Sequence, residues 1–400
     1  MLKTTPLHSR TSALMQANQW RRWAGYSVAS SYEMTHDREY YAIRNACVLL
    51  DVSPLCKYRI KGTDALKFLN RLVTRDVSKI SVGGMLYTPW CDSRGKILDD
   101  GTVAMLAADE YRLTSAEPNL RWLQDNAVGM QVEITDVSDQ IAAMSLQGPK
   151  SRDLLMTLCD SPLGGVKYYE FVNTKIDGAD VMISRTGYTG DLGFELWVDA
   201  TKAEKVWDAV VKAGKSFALQ PAGIWALDVS RIEAGLIMLD IDYTPANKAM
   251  TDAQTSTPIE LGLNWAISWK KGNFIGRKAL LAEKENGSTI QFVGLEIDHK
   301  EFERQHHELG LTVPYPFMAW RAVIPLYVDG SQVGYATSGV WSPTLKKYLA
   351  FGHVQPKYAQ PGSVVTIDLT VDRFRRSFNA EVTKLPFFNP PRKKDIVGAK

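Results

Sequence analysis

The stretch SRTGYTGDLGFELW, Ser184 to Trp197, is the part of this chain that tolerates the fewest backbones, because three glycines stand between two apolar runs. Val181 and Ile183 before it, and Phe194, Leu196 and Val198 after it, alternate with their neighbours at period two, so the segment reads as a hairpin. Gly187, Gly190 and Gly193 supply positive φ or a close approach that a Cβ would obstruct. Glu195 then falls on the face opposite Phe194 and Leu196. It is either an ordinary solvent-facing glutamate or a carboxylate aimed at a ligand.

The rest of the chain gives that hairpin its setting. REYYAIRNACVLLDVS predicts a helix running into a strand, YRIKG a strand, and the next segment a helix capped by Thr63 with Leu66, Leu69, Leu72 and Val73 at helical spacing. Two strands around an Asp-Ser-Arg-Gly turn and a third starting at YRLTSA complete a compact α+β unit over residues 51–139. A second α+β unit combines 1–50 with 140–285 and holds two helices, TKAEKVWDAVVKAGK with Val206, Val210 and Val211 inward, and GIWALDVSRIEAG closed by Gly235. From 286 to 400 short alternating strands divided by Gly, Pro and Asp predict a β-barrel or jelly roll.

At 400 residues the chain exceeds what one core serves, which agrees with several units. A formal net charge of +3 with no Lys/Arg stripe argues against nucleic acid as a partner, and the basic cluster Arg392–Lys394 reads as solvated. Four cysteines without paired spacing imply reduced thiols, and scattered histidines offer no metal-ligand cluster. With no signal-like N-terminus and no long apolar run, the expectation is a cytoplasmic protein with no membrane contact.

Asp99 and Asp100 adjoin on a predicted strand, so one faces a core or cavity and the other faces away. An inward carboxylate is costly unless paired, which makes it a candidate acid or base, or else a strand-end aspartate that satisfies backbone amides. Arg231 lies three residues after Asp228 on one helical stripe, either as a surface ion pair or as an arginine aimed at an anion.

Taken together, LLDVSPLCKYRIKGTDALKFLNRL, MLYTPWCDSRGKILDDG, MSLQGPKSRDLL, RTGYTGDLGFELW, ALDVSRIEAGL, NWAISWKKGNFIGRKAL and ATSGVWSPTLKKYLAFGHV resemble, in order, the glycine-cleavage T-protein (aminomethyltransferase) family. The resemblance implies a three-lobed cloverleaf with tetrahydrofolate in a central channel and no metal. It implies that Glu195 accepts from the N–H edge of the pterin, that Asp100 is the catalytic carboxylate, and that Tyr87, Tyr188, Arg231, Trp269, Tyr168 and Tyr169 line the ligand. Ser115 stands where the family places an asparagine at a strand end, and is counted with them.

Departures fall at Ser53-Pro54, Thr114-Ser115-Ala116 and the segment Met238–Tyr243, from which Asp242 and a catalytic Tyr243 are expected to shape the substrate end. TRDVSKISVGGMLYTPWCDSRGKILDDG is also similar to folate-dependent demethylases of the family, such as those acting on dimethylsulfoniopropionate. The expectation is therefore a demethylase that moves a methyl group from a small methylated substrate to tetrahydrofolate. Its rivals are an aminomethyltransferase served by a lipoyl carrier protein, and a folate-binding module without turnover.

Overall fold

The computed structural model describes residues 2–159 and 161–396. Three sheets carry the architecture, and a small N-terminal sheet (Lys3–Thr4, Tyr26–Ser31, Gln19–Trp23) uses the Trp- and Tyr-rich opening segment, to which the sequence reading assigned no element. The fold class is the mixed α+β arrangement with a closed six-stranded C-terminal barrel.

The first sheet runs in the order Phe171–Ile176, Ala179–Ser184, Gly193–Asp199, Ile141–Gln147, Cys47–Asp51, Leu219–Pro221. Its hairpin pairs Ser184 with Glu195 and Ile183 with Leu196, the alternation that the apolar residues require. Gly190 has φ +75°, while Cβ atoms at Gly187 and Gly193 would each come within 2.0 Å of the buried Gln147 side chain. Phe194, Leu196 and Val198 pack with Leu146, Val206 and Trp207 in one core. Glu195 and Trp197 face the opposite way.

The second sheet runs Met85–Cys91, Ile97–Ala107, Glu110–Ser115, Cys56–Lys61, Glu133–Asp136. One of its faces buries Tyr58, Ile60, Leu86, Val103, Tyr111 and Leu113 against the helix Ala65–Leu72, where Phe68, Leu69 and Leu72 point inward. That helix starts after Asp64 with no side-chain cap, so Thr63 does not cap it. The barrel closes in the order Gln291–Ile297, Lys347–Val354, Ser331–Ser342, Ile324–Val328, Val364–Val371, Phe374–Thr383.

The helix Ile224–Glu233 links the first unit to the barrel. It packs on the helix Asp37–Asn45, on the N-terminal sheet and on the barrel, and every residue from Ala226 to Glu233 is buried. Its polar residues are therefore internal ties. Glu233 accepts from Tyr40, Ser342 and Arg44, whose Nε lies 2.9 Å away. Arg231 and Asp228, read from the sequence as either a surface pair or an anion-seeking arginine, are only 0% and 3% exposed at their side chains and bond at 2.8 Å. Gly235 ends the segment at φ +68°, a left-handed conformation that favours glycine, with Leu385 and Pro386 packed closely against it.

Candidate functional site

Strand pairing decides which side chains of the second sheet face the other units. Tyr87 pairs with Thr102, Thr102 with Thr114, and Ala104 with Arg112, so Tyr87, Asp100, Arg112 and Thr114 share one face. Asp99 takes the other, fully buried, and accepts from the backbone N–H of Asp100 at 2.7 Å and the Asn119 side-chain amide at 2.7 Å. Burial first, and then the neighbouring Asp100 charge, hold its carboxyl well above the usual carboxylate range.

Asp100 is half-buried, and the Tyr243 phenol donates to its Oδ1. Burial raises the Asp100 carboxyl, while hydrogen bonds from Tyr243 and Tyr87 pull part of that rise back. Tyr87 in turn lies close enough to Tyr169 and Tyr188 for their charges to bear on it, after burial and Asp100. The aromatic cluster so spans the two sheets. Tyr169 is held at φ +66°, a costly conformation for a bulky residue, with its N–H on Arg185 O at 3.1 Å and its carbonyl accepting from Met85 N at 2.8 Å. Its ring meets Tyr168 edge-on at 4.6 Å between centroids.

Glu195 lies at the far side of this cluster and is also half-buried. Thr186 Oγ1 donates to it at 2.6 Å. Burial raises its carboxyl, and Thr186, Arg112 and Ser184 offset part of the effect. Two half-buried carboxylates on different sheets, joined by phenols, form an arrangement that can accept N–H donors at one end and hold or move a proton at the other.

Several expected residues take other places. Ser115 is 1% exposed on the core face, where it donates to Glu117 O at 2.7 Å, so the side chain at that strand end which looks toward the aromatic cluster is Thr114. Arg231 has 0% side-chain exposure, and its nitrogens go to Asp228, Asp242, Leu236 O and Ser338, leaving little for an anionic ligand. Asp242 does not shape an open channel, since it accepts from Arg231, Met238 N, Thr337 and Ser338. Tyr243 is 3% exposed with its hydroxyl on Asp100, so it positions the carboxylate and does not reach outward itself. Tyr188 also donates inward, to Ile237 O.

Trp269 lies under the Lys284 ammonium, 4.6 Å from the ring centre, and packs on the same core as the tyrosines with no ring pair to them among the described residues. Trp265, four residues earlier, does pair with one: its ring stacks on Tyr87 at 5.7 Å, and the residue is 58% exposed. The Arg75 guanidinium lies 5.7 Å from that same ring. The paired tryptophans of NWAISW were the available signal, and helical or strand spacing could not choose between them. Sequence reasoning also missed Arg112. Its strand alternates Tyr111 in, Arg112 out, but only the register against Ala104 shows that this outer face is interior to the molecule. In the C-terminal cluster, read as solvated, Arg392 instead holds Asp191 through Nε at 2.6 Å and Nη2 at 2.8 Å.

Comparison with known proteins gives this geometry its context. The GCVT N-terminal domain matches residues 5–271 and the glycine cleavage T-protein C-terminal barrel domain matches residues 291–389. An aminomethyltransferase of Halothermothrix orenii is 35% identical over 367 residues, 91% of this chain and 94% of that protein. One of Desulforamulus reducens is 32% identical over 391 residues, covering 97% and 98%. A solved structure of the glycine cleavage system aminomethyltransferase T from Bartonella henselae superposes with a TM-score of 0.82 at 24% identity, covering 97% of this chain and 99% of that one. With both halves matched and relatives aligned almost end to end, the chain belongs to the glycine cleavage T-protein family of transferases.

Proposed function

We propose that the chain transfers a one-carbon unit to tetrahydrofolate, with an aminomethyl group borne on a lipoyl carrier protein as its donor. The observation that carries this reading is the pair of half-buried carboxylates, Asp100 and Glu195, on facing units with Tyr87, Tyr169 and Tyr188 between them. The donor set fits a reduced folate. Glu195 would accept from the pterin N–H edge, the phenol rings would supply flat apolar walls, and Asp100 would be the carboxylate available to the ring nitrogens. Tetrahydrofolate supplies the nitrogen that takes the one-carbon unit. Asp100, oriented by Tyr243 and Tyr87, holds or moves the proton that this exchange requires, and the dry aromatic surroundings exclude water from the reacting group.

The aminomethyl donor replaces the demethylase expectation as the leading reading for two reasons. The full-length relatives are named aminomethyltransferases. Of the departures that suggested a rebuilt substrate end, Ser115 and Asp242 are internal and Tyr243 holds Asp100, so they are answered within the protein rather than opened to a new substrate. The test gives the protein tetrahydrofolate with an aminomethyl-loaded lipoyl carrier in one arm and a panel of S-, O- and N-methyl compounds in another. Ammonia with 5,10-methylenetetrahydrofolate in the first arm is expected. Appearance of 5-methyltetrahydrofolate in the second arm alone returns the chain to the demethylases.

A further inference from the structure

Among the described residues Arg112 is the buried guanidinium with two unpartnered nitrogens. It is 4% exposed, and its Nε and Nη2 have no hydrogen-bond partner among the described residues. An interior guanidinium with unpaired donors is strongly unfavourable in a folded chain unless something else satisfies it. Its surroundings are nonetheless built. The guanidinium carbon lies over Trp197, 3.9 Å from the ring centre. The carboxylate whose charge bears on it is Glu195, two residues before Trp197 on the same face of the facing sheet. Lys57 on the adjacent strand repels it. Arg112 and Glu195 do not close on each other: neither a hydrogen bond nor a contact ion pair joins them among the described residues, and Glu195 takes its bond from Thr186 instead.

A donor fork and a nearby acceptor carboxylate that are not paired with each other are complementary to a flat ring whose edge carries N–H and C=O in adjacent positions. A pterin has that edge: its 2-amino group and N3–H donate, and the C4 carbonyl oxygen next to them accepts. Resting on the folate reading above, we propose that Arg112 is a second ring-recognition residue, which donates to the C4 oxygen of the pterin whose N–H edge Glu195 holds. The arginine then belongs to ligand recognition and contributes little to the ligand-free fold.

Folic acid and aminopterin separate the possibilities, because they differ only in bearing oxygen or an amino group at C4. The experiment measures, for wild type, Arg112→Met and Glu195→Gln, the calorimetric affinity for both compounds and the melting temperature without ligand. Arg112→Met is expected to leave the ligand-free melting temperature unchanged or higher, to weaken folic acid about tenfold or more, and to change aminopterin less than about threefold. Should Arg112→Met fail to fold, the arginine is structural and the proposal is overturned. Arg112→Lys, which keeps the charge but loses the planar fork, confirms this by restoring the fold without a loss of folic-acid affinity. Equal losses for the two compounds overturn the C4 assignment. If Glu195→Gln weakens folic acid and Arg112→Met does not, the Arg112 proposal fails while the folate reading stands. If the wild type binds neither compound, both fall together.

Discussion

One hydroxyl separates two accounts of Tyr243. Because it donates to Asp100, Tyr243→Phe removes a group that holds the Asp100 carboxyl down against burial. Turnover is expected to fall about tenfold. The sign of the pH effect follows from the same bond: with the donor gone, the Asp100 carboxyl rises further, so the acid limb of the pH–rate profile moves to higher pH. A profile that keeps its limb while turnover falls shows that Tyr243 acts elsewhere. Asp100→Asn should lower turnover about a hundredfold with folate affinity nearly kept, whereas Asp99→Asn, which disturbs buried acceptor bonds, should lower the denaturation midpoint by about 1–3 kcal/mol worth of stability and leave folded enzyme active. Lys57 gives a second pH prediction. Burial lowers its ammonium from 10.5 to about 8, with Arg112 adding to the effect. The unfolded chain binds that proton more tightly, so stability should rise between about pH 8 and 10.5 in wild type and stay flatter in Lys57→Met, as urea titrations across that range will show. The opposite facing of Asp99 and Asp100 was legible, since alternation along one strand has a fixed period. The burial of Ser115 and Arg112 was not, because it depends on register between strands and on what packs above them.

At the scale of elements, the hairpin and the helix 224–233 were both readable from periodicity, but the environment of the helix was not. Asp228, Arg231 and Glu233 have the composition of a solvated face, yet each is buried and answered by a residue distant in sequence: Arg321, Asp242 and Arg44. Pairing of this kind leaves no mark on the helix itself. Its energetic signature is asymmetric, because removing one partner strands the other in the interior. Glu233→Ala, which removes the hydrogen-bonded carboxylate of Arg44 and leaves it only the longer carboxylate contact with Asp191 at 3.6 Å, should therefore cost about 3–5 kcal/mol in chemical denaturation, well beyond a surface ion pair. A loss below 1 kcal/mol contradicts the burial described here. The glycines of the hairpin divide in the same way between the local and the distant. Gly190 could be read from its turn, whereas the need for Gly187 and Gly193 arises from Gln147, a residue of another strand.

Across the whole molecule, the order of α+β units and barrel was visible in the sequence, while the long-range closure of the chain was not. The C-terminal segment returns to the first sheet, where Arg392 grips Asp191 and the carbonyls of Lys393 and Asp395 accept from Arg185. Deleting residues 391–400 should lower the melting temperature by several degrees by calorimetry, since Asp191 and Arg185 are both nearly fully buried. An unchanged transition would mean that this segment is only draped on the surface. The adjacency of Asp242 and Tyr243 has a wider consequence. Asp242 is anchored in barrel residues Thr337 and Ser338, and the next residue in the chain anchors Asp100 of the second sheet. One of the two phenol bonds that hold Asp100 is thus tied to the barrel through a single peptide unit. In evolutionary terms the barrel is no interchangeable accessory: exchanging or trimming it removes one of the two phenol anchors of Asp100, so a change in one part is felt in the other.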